Sequence, residues 1–454
     1  MLRPTAALAD FISSTEFEDL PIEVVEKAKC LVIDTIGVAI AGTKEASFHS
    51  AERFVRNLRA SGISTAMASR LKTNAEWAAL VNGVAAHAVD FDDWHSAGGV
   101  HPGCIVIPAA LAVAEERDST GKEFLKSVVV GYETMIRIGM LCGNRGFGIG
   151  FHPTSTCGVF GALAAVSSLL GLDARQVENG FGIATSLSGG VQRYMQGGAS
   201  VKHLHAGWAA HSGTIAAKLA SLGYEAPEAS LEGEYGFCYT HGQRACDARA
   251  FESFPDRFET LNVQVKAYPC CSELFSSIEA TESLVRKYGL NARAVKKISV
   301  RSINTAANLC SMPKDLKVRP PTKSDARFSL PFVIALMLSR GKVDLQNIND
   351  DTIRDNGIVE IARKVEPEVD PDLDRLFPGA APAIVEIQTE DLVCRERVDH
   401  AKGTPENPMS EDEIISKFKA CSAFAGFGRA DSVVELLTRI DRLDKISEIC
   451  RVIG

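Results

Sequence analysis

Three histidines and three aspartates fall within fifteen residues of this chain, in HAVDFDDWHSAGGVHPG from His87 to Gly103. They interrupt two apolar helical stretches. Polar groups in core-like sequence need partners, so they either line a cavity or cap helix ends. As caps, Asp92 or Asp93 would end one helix, with Gly98–Gly99 forming the loop that follows. As a site, a carboxylate and imidazoles close together suit proton transfer. His95, His101 and the carboxylates also offer ligands to Zn²⁺ or Fe²⁺, but no HExxH or comparably tight spacing supports a metal.

Three more segments carry chemistry. GNRGFGIGFHPTSTCGVFGAL, from Gly143 to Leu163, has the glycines of a dinucleotide loop but no preceding strand and no GxGxxG. Its glycines read as turns leading to His152–Pro153, which places His152 just before a helix N-terminus, a position that favours anions. In GGASVKHLHAGWAAHSG, residues 197–213, Lys202 enters a run of small residues and requires a negative partner, either a structural carboxylate or a substrate. His203, His205 and His211 in the same run fit solvated or core positions. In VKAYPCCSE, residues 265–273, Lys266 is either a surface strand lysine or a second cation, and Cys270–Cys271 are adjacent. No nucleotide cradle, nucleophile elbow, PLP or flavin signature accompanies them. Cations, imidazoles and an aspartate around one cleft would suit a small polyanion undergoing proton transfer.

The elements that must position these residues are mostly helices. Over residues 21–41, Val24, Val25, Ala28, Leu31, Val32 and Ile36 recur at helical spacing. Residues 74–90, 105–116, 121–141, 154–171 and 206–223 continue in that style, and the first 250 residues read as helix after helix. Near residue 260 the character changes. Residues 261–269, 295–302 and 383–391 alternate like strands, and the last pairs with LVCRERVDHA through a turn near Glu390–Asp391. Residues 325–340 read as a helix. Helices resume at Ser410, where Ser410 and Glu413 fit a capping box. The order predicts a mainly α protein: a large discontinuous all-helical domain over 1–263 and 399–454, with a smaller α+β lid over 264–398 inserted.

Composition narrows the partners. The 454 residues hold 49 basic against 57 acidic side chains, a net charge of −8, which argues against a nucleic-acid-coating surface. At 46% hydrophobic and 23% charged the chain is an ordinary globular sequence. Residues 1–20 carry Asp10, Glu16, Glu18 and Asp19 and do not read as a secretory leader. The apolar run Cys30 to Gly42 is interrupted by Asp34 and is too short to cross a membrane. Twelve scattered cysteines without a CxxC pair read as free thiols in a cytoplasmic protein. Neither nucleic acid nor membrane is expected as a partner.

These segments together resemble the MmgE/PrpD family, which includes 2-methylcitrate dehydratase, cis-aconitate decarboxylase and iminodisuccinate epimerase. The resemblance runs end to end: LPIEVVEKAKCLVIDTIGVAIAG, HAVDFDD…HP, GYE at 131–133, GFHPTSTCG, VKHLHAG, VKAYPCC, DARFSLPF at 325–332 and NPMSEDEI. It implies a helical domain built from both chain ends, an α+β lid, a homodimer, and catalysis without metal or organic cofactor. By motif, Asp90, His101, His152, Lys202 and Lys266 match positions expected to line the family's cleft. Three positions depart from the pattern: Trp94 stands where a Thr is common, Cys271 where the decarboxylase has a His, and Phe332 where a Tyr is frequent. Losing those polar groups implies a smaller or less oxygenated substrate.

The roles implied are that Lys202 and Lys266 hold carboxylates and spread developing charge, while His101, oriented by Asp90, moves the proton. His152 would be a second acid/base or a carboxylate donor. The first reading is a cofactor-free dehydratase-type lyase acting by α-proton abstraction on a small hydroxylated di- or tricarboxylate. The alternatives are an epimerase of a dicarboxylate such as iminodisuccinate, a cis-aconitate decarboxylase-like enzyme, and a non-catalytic carboxylate-binding relative.

Overall fold

Helices begin where the apolar periodicity begins. In the computed structural model, which describes residues 3–143, 148–196, 200–243 and 246–454, the early helices are Pro4–Ser14, Ile22–Gly42, Ala46–Leu58 and Ala75–His87. Gly103–Arg117, Gly121–Cys142, Pro153–Leu170, Ala174–Leu187 and Val201–Ser221 follow. Several are buried on all sides because their residues are small. Gly207 shows why: a Cβ there would lie 2.3 Å from the Leu80 carbonyl, so only glycine lets Val201–Ser221 press this closely on Ala75–His87. Pro153–Leu170 has the length and apolarity of a membrane span, yet 89% of it is buried inside the protein, as a core helix. The expected turn at the glycines before His152 falls partly on residues 144–147, and the glycines before Lys202 on 197–199; both segments lie outside the described residues.

Among the described residues, the mainly α architecture carries two large hydrophobic cores and a small third cluster of Val38, Ala41, Val89, Phe91, Leu345 and Cys421. The larger gathers side chains from Leu8 to Val265 and again from Ile414 to Ile453; the second gathers Cys270 to Ala401. Besides the two-residue pair β1 (Ser64–Thr65) and β2 (Lys72–Thr73), the strands form one sheet over the second core. They are β3 (Lys297–Ser302), β4 (Val365–Val369), β5 (Ala383–Gln388) and β6 (Val393–Val398), in the order β4-β3-β5-β6. The β5–β6 hairpin closes through Thr389 N donating to Leu392 O at 2.8 Å, at the turn expected from the sequence. The Ser410 capping box also forms, opening the helix Glu411–Ala425.

Three expectations are corrected, and one strand is added. Residues 261–269 do not form a strand: Val263 and Val265 turn into the helical core, and Gln264 makes one bridge, to Trp94. The helix expected over 325–340 is broken at Phe328. Ser329 then caps a new helix, Leu330–Arg340, by accepting from Phe332 N, with Pro331 in its first turn. Strand β4, VEPEV, escapes the pattern: its two glutamates dilute the apolar alternation, and Pro367 is tolerated because β4 lies at the sheet edge, parallel to β3. Residues 224–250 continue the stretch expected as helix after helix, but the described residues 224–243 and 246–250 are turns and short helical segments such as Phe237–Thr240, in keeping with their Gly, Pro and Glu content.

Candidate active site

The segment after Ala75–His87 leaves the helix by a left-handed turn at Asp90, φ 53°. That conformation costs an Asp little, because its short polar side chain can bond locally. The turn sends Asp90 one way and Asp92 and Asp93 the other. Asp93 does not end Ala75–His87, as the cap reading has it, but holds the start of the next helix: its Oδ1 accepts from Gly103 N at 2.9 Å at the start of Gly103–Arg117, and its Oδ2 accepts from Tyr132 OH at 2.6 Å. A Cβ on Gly103 would collide with Thr35, Tyr132 and Asp93, so glycine is required at that junction. Burial lifts the Asp93 pKa to about 7, against the pull of Tyr132 and Gly103.

Asp90 instead meets two lysines. Lys202 Nζ donates to its Oδ1, and Lys266 Nζ reaches its Oδ2 at 3.3 Å and its carbonyl at 3.0 Å. All three side chains are buried. Burial alone would raise the Asp90 pKa, but the two ammoniums hold it well below the carboxylate range. Burial would lower Lys202, yet Asp90 and Asp92 raise it. This knot of two cations and one anion keeps one net positive charge in a closed place. Lys202 also sits over the Phe328 ring at 5.0 Å.

Histidine 101 is not oriented by Asp90, which corrects the sequence reading. Its Nδ1 lies 2.6 Å from the Asp93 carbonyl, an acceptor only, so Nδ1 carries the proton and Nε2 is the basic nitrogen. Asp92 Oδ2 stands 3.4 Å from the same Nδ1 and 2.7 Å from His87 Nδ1. Burial holds His101 well below its ordinary value, opposed by Asp92 and reinforced by Lys266, so the ring is neutral at neutral pH. The Trp94 ring packs on it at 4.7 Å. His152, the N-cap of Pro153–Leu170, faces His205 with Nδ1 atoms 3.1 Å apart, so one ring donates and the other accepts. Burial, with His87 and Lys202, also keeps His152 neutral.

A cavity of about 90 Å³ joins these groups: Asp90, Trp94, His101, His152, Lys202, Lys266 and Cys271 all line it. Cys271 donates its thiol to Glu273 Oε2 at 2.7 Å; the neighbouring Cys310 and burial keep it protonated. Phe332 is not in the cavity. It is fully buried in the second core on Leu330–Arg340, and Phe328, before the helix break, supplies the aromatic wall instead. Sequence reasoning also missed Tyr194, which lines the cavity from a short helical turn with no periodic signal.

Three other histidines bond elsewhere. His203 pairs with Ser47 at 2.9 Å, His211 with Glu76 O at 3.1 Å, and His95 with Glu259 at 3.4 Å, away from His101. The His95/His101 ligand pair therefore does not form. His87, Asp92 and Cys104 bring donor atoms within 4.8 Å of one another. The first two bond each other, and the Cys104 thiol, held protonated by burial, donates to His101 O at 3.3 Å.

Two segments far apart in sequence lock the site. Arg327 Nη1 donates to Ala88 O at 3.0 Å, and Lys417 Nζ donates to Phe91 O and Lys266 O, both at 2.8 Å, beside Asp34 at 2.6 Å.

The MmgE/PrpD N-terminal domain pattern matches residues 6–245, and the MmgE/PrpD C-terminal domain pattern matches 268–438. The chain is 26% identical to a cis-aconitate decarboxylase of Aspergillus terreus, over 99% of this chain and 96% of that one. It is 27% identical to the human cis-aconitate decarboxylase, over 98% and 93% respectively. A cis-aconitate decarboxylase-like protein, oryM, of Aspergillus oryzae is 26% identical over 99% and 97%.

Proposed function

Because the chain belongs to the MmgE/PrpD family, we propose that it is a lyase of the dehydratase type that acts on a small hydroxylated di- or tricarboxylate with its own side chains alone. The observation that carries this reading is the Asp90–Lys202–Lys266 knot, one net positive charge beside a neutral His101 in a buried cavity. A substrate carboxylate neutralises that charge. The C–H beside it becomes more acidic as the lysines take up developing negative charge.

His101 Nε2 then accepts the α-proton. The C–H electrons form the C=C bond, the neighbouring C–O bond breaks, and the hydroxyl leaves as water with the proton that His101 returns. Asp92, 3.4 Å from Nδ1, supports the transient imidazolium. His152 faces the same cavity and supplies a donor or acceptor for the departing oxygen. Trp94 and Cys271 add little hydrogen-bonding capacity, which suits a substrate with fewer oxygens than a tricarboxylate-specific site would hold.

A second reading, decarboxylation, is favoured by the names of the relatives above and their near-complete coverage. In it the lysines hold the retained carboxylates while one carboxylate leaves as CO₂ and a proton replaces it.

Proton NMR in D₂O on a panel of hydroxylated and unsaturated di- and tricarboxylates, cis-aconitate included, tests both. New vinylic signals from a hydroxylated substrate support dehydration, and CO₂ release from an unsaturated one supports decarboxylation. Loss of an α-proton signal alone indicates exchange or epimerisation and refutes both. Binding without any reaction would make the protein a carboxylate binder.

A further inference from the structure

The cavity of about 90 Å³ is small beside the space it opens onto. A second chamber, of about 750 Å³, shares Tyr194, Met195, Lys202, Leu309 and Phe328 with it. We propose that this chamber takes the hydrocarbon tail of an amphiphilic carboxylate whose head group occupies the lysine cavity; the inference rests on the carboxylate reading above.

The walls are apolar on both sides. Val191 and Met195 come from the helical part of the chain; Leu309, Met312, Leu316 and Phe328 come from the lid. Val191, Met312 and Leu316 are 55%, 59% and 53% exposed, an arrangement that leaves apolar surface in water unless something covers it. Polar groups of the wall are already engaged. Lys317 Nζ donates to Phe328 O at 2.6 Å, Asp325 accepts from Thr322 at 2.6 Å, and Gln192 Nε2 donates to Phe151 O at 2.6 Å. The exposed Arg193 also borders the chamber. Chambers of about 300–1,000 Å³ with apolar walls and a few fixed polar groups are typical of small-molecule sites. Lys202 stands at the end shared with the small cavity, whereas Lys317 and Asp325 are tied to Phe328 and Thr322, and much of the remaining wall is apolar. A ligand polar at one end and apolar along its length matches that polarity; a compact, uniformly charged one leaves the chamber empty.

Calorimetric titration of the wild-type protein with succinate and with methyl-, butyl-, hexyl- and octylsuccinate tests this. Each methylene moved from water to the chamber should tighten binding roughly fourfold over the first several carbons, the fold-change that about 0.8 kcal/mol per CH₂ gives. Leu316→Glu on the lid wall and Val191→Asp on the opposite wall should each flatten the series; both side chains are half exposed, and far-UV circular dichroism checks folding. If succinate binds but the added carbons change nothing, the tail inference falls while the carboxylate reading stands. If neither succinate nor its alkyl derivatives bind, both fall. A chain-length gain that survives both variants also overturns the assignment, because the tail would then lie elsewhere.

Discussion

Replacing Asp90 by Asn removes the one carboxylate between two buried ammoniums while keeping its shape, and Asn tolerates the φ of 53° that Ala would strain. Lys266 sits 3.3 Å from Asp90 Oδ2 and Lys202 on Oδ1, so the variant leaves two like charges facing each other in a closed place. Breaking a buried pair by removing one partner costs about 3–5 kcal/mol. The loss should depend on pH in a particular direction. In the wild type, Lys202 is raised above its ordinary value, so its contribution is complete below about pH 10.4, the unfolded value, and fades as pH rises through the folded one. In Asp90→Asn, burial and the Lys266 charge push Lys202 down, so the folded state releases a proton that the unfolded state keeps. Stability of the variant relative to wild type should therefore climb as pH rises from 6 toward 10. Urea midpoints of both proteins at pH 6, 8 and 10 measure the difference. A variant as stable as wild type, or a deficit that does not shrink with pH, would refute the claim that both lysines are charged on Asp90.

His101→Asn should lower turnover by about 10²–10⁴-fold, the usual share of general acid–base catalysis, with ligand affinity largely kept. Asp92→Asn should produce a related defect through its 3.4 Å contact with Nδ1, and the double variant should fall well short of additivity, read from steady-state kinetics. Since burial holds His101 well below 6.5, the acid limb of kcat/KM should lie below pH 6.5; a limb near 7 would assign the base elsewhere. Lys202→Met should weaken carboxylate binding and turnover without unfolding the chain, because the knot loses its net positive charge. EDTA treatment should leave turnover unchanged, as the lysines supply the charge the reaction needs. Activity lost to EDTA and restored by one divalent ion would point to His87, Asp92 and Cys104.

Helices were legible because small and apolar residues at helical spacing leave little choice. Edge strand β4 was not, since its burial is one-sided and its proline breaks the pattern. The identities of Asp90, His101, His152, Lys202 and Lys266 could be read, as each is a polar group in sequence that otherwise buries itself, and the family resemblance pointed the same way. Their partners could not. Lys202 and Lys266 meet Asp90 across 112 and 176 residues, and His101 is held by a backbone carbonyl, which every residue carries. Phe332 shows the limit at its sharpest. A shift of four residues, across a helix break the periodicity did not reveal, separates a core side chain from the Phe328 wall of the cavity.

The Lys417 brace has a consequence for how the chain is made. It ties Phe91, Lys266 and Asp34 together, yet belongs to Glu411–Ala425, synthesised after the whole lid. Domains generally fold as units, from the N-terminus, as they emerge. Here the first helices emerge without the ammonium that answers Asp34, and the lid sheet is complete before they receive it. Completion of the cleft thus waits for Glu411–Ala425: a nascent chain stalled after β6 would carry every residue of the cavity wall and still lack the clamp that closes it.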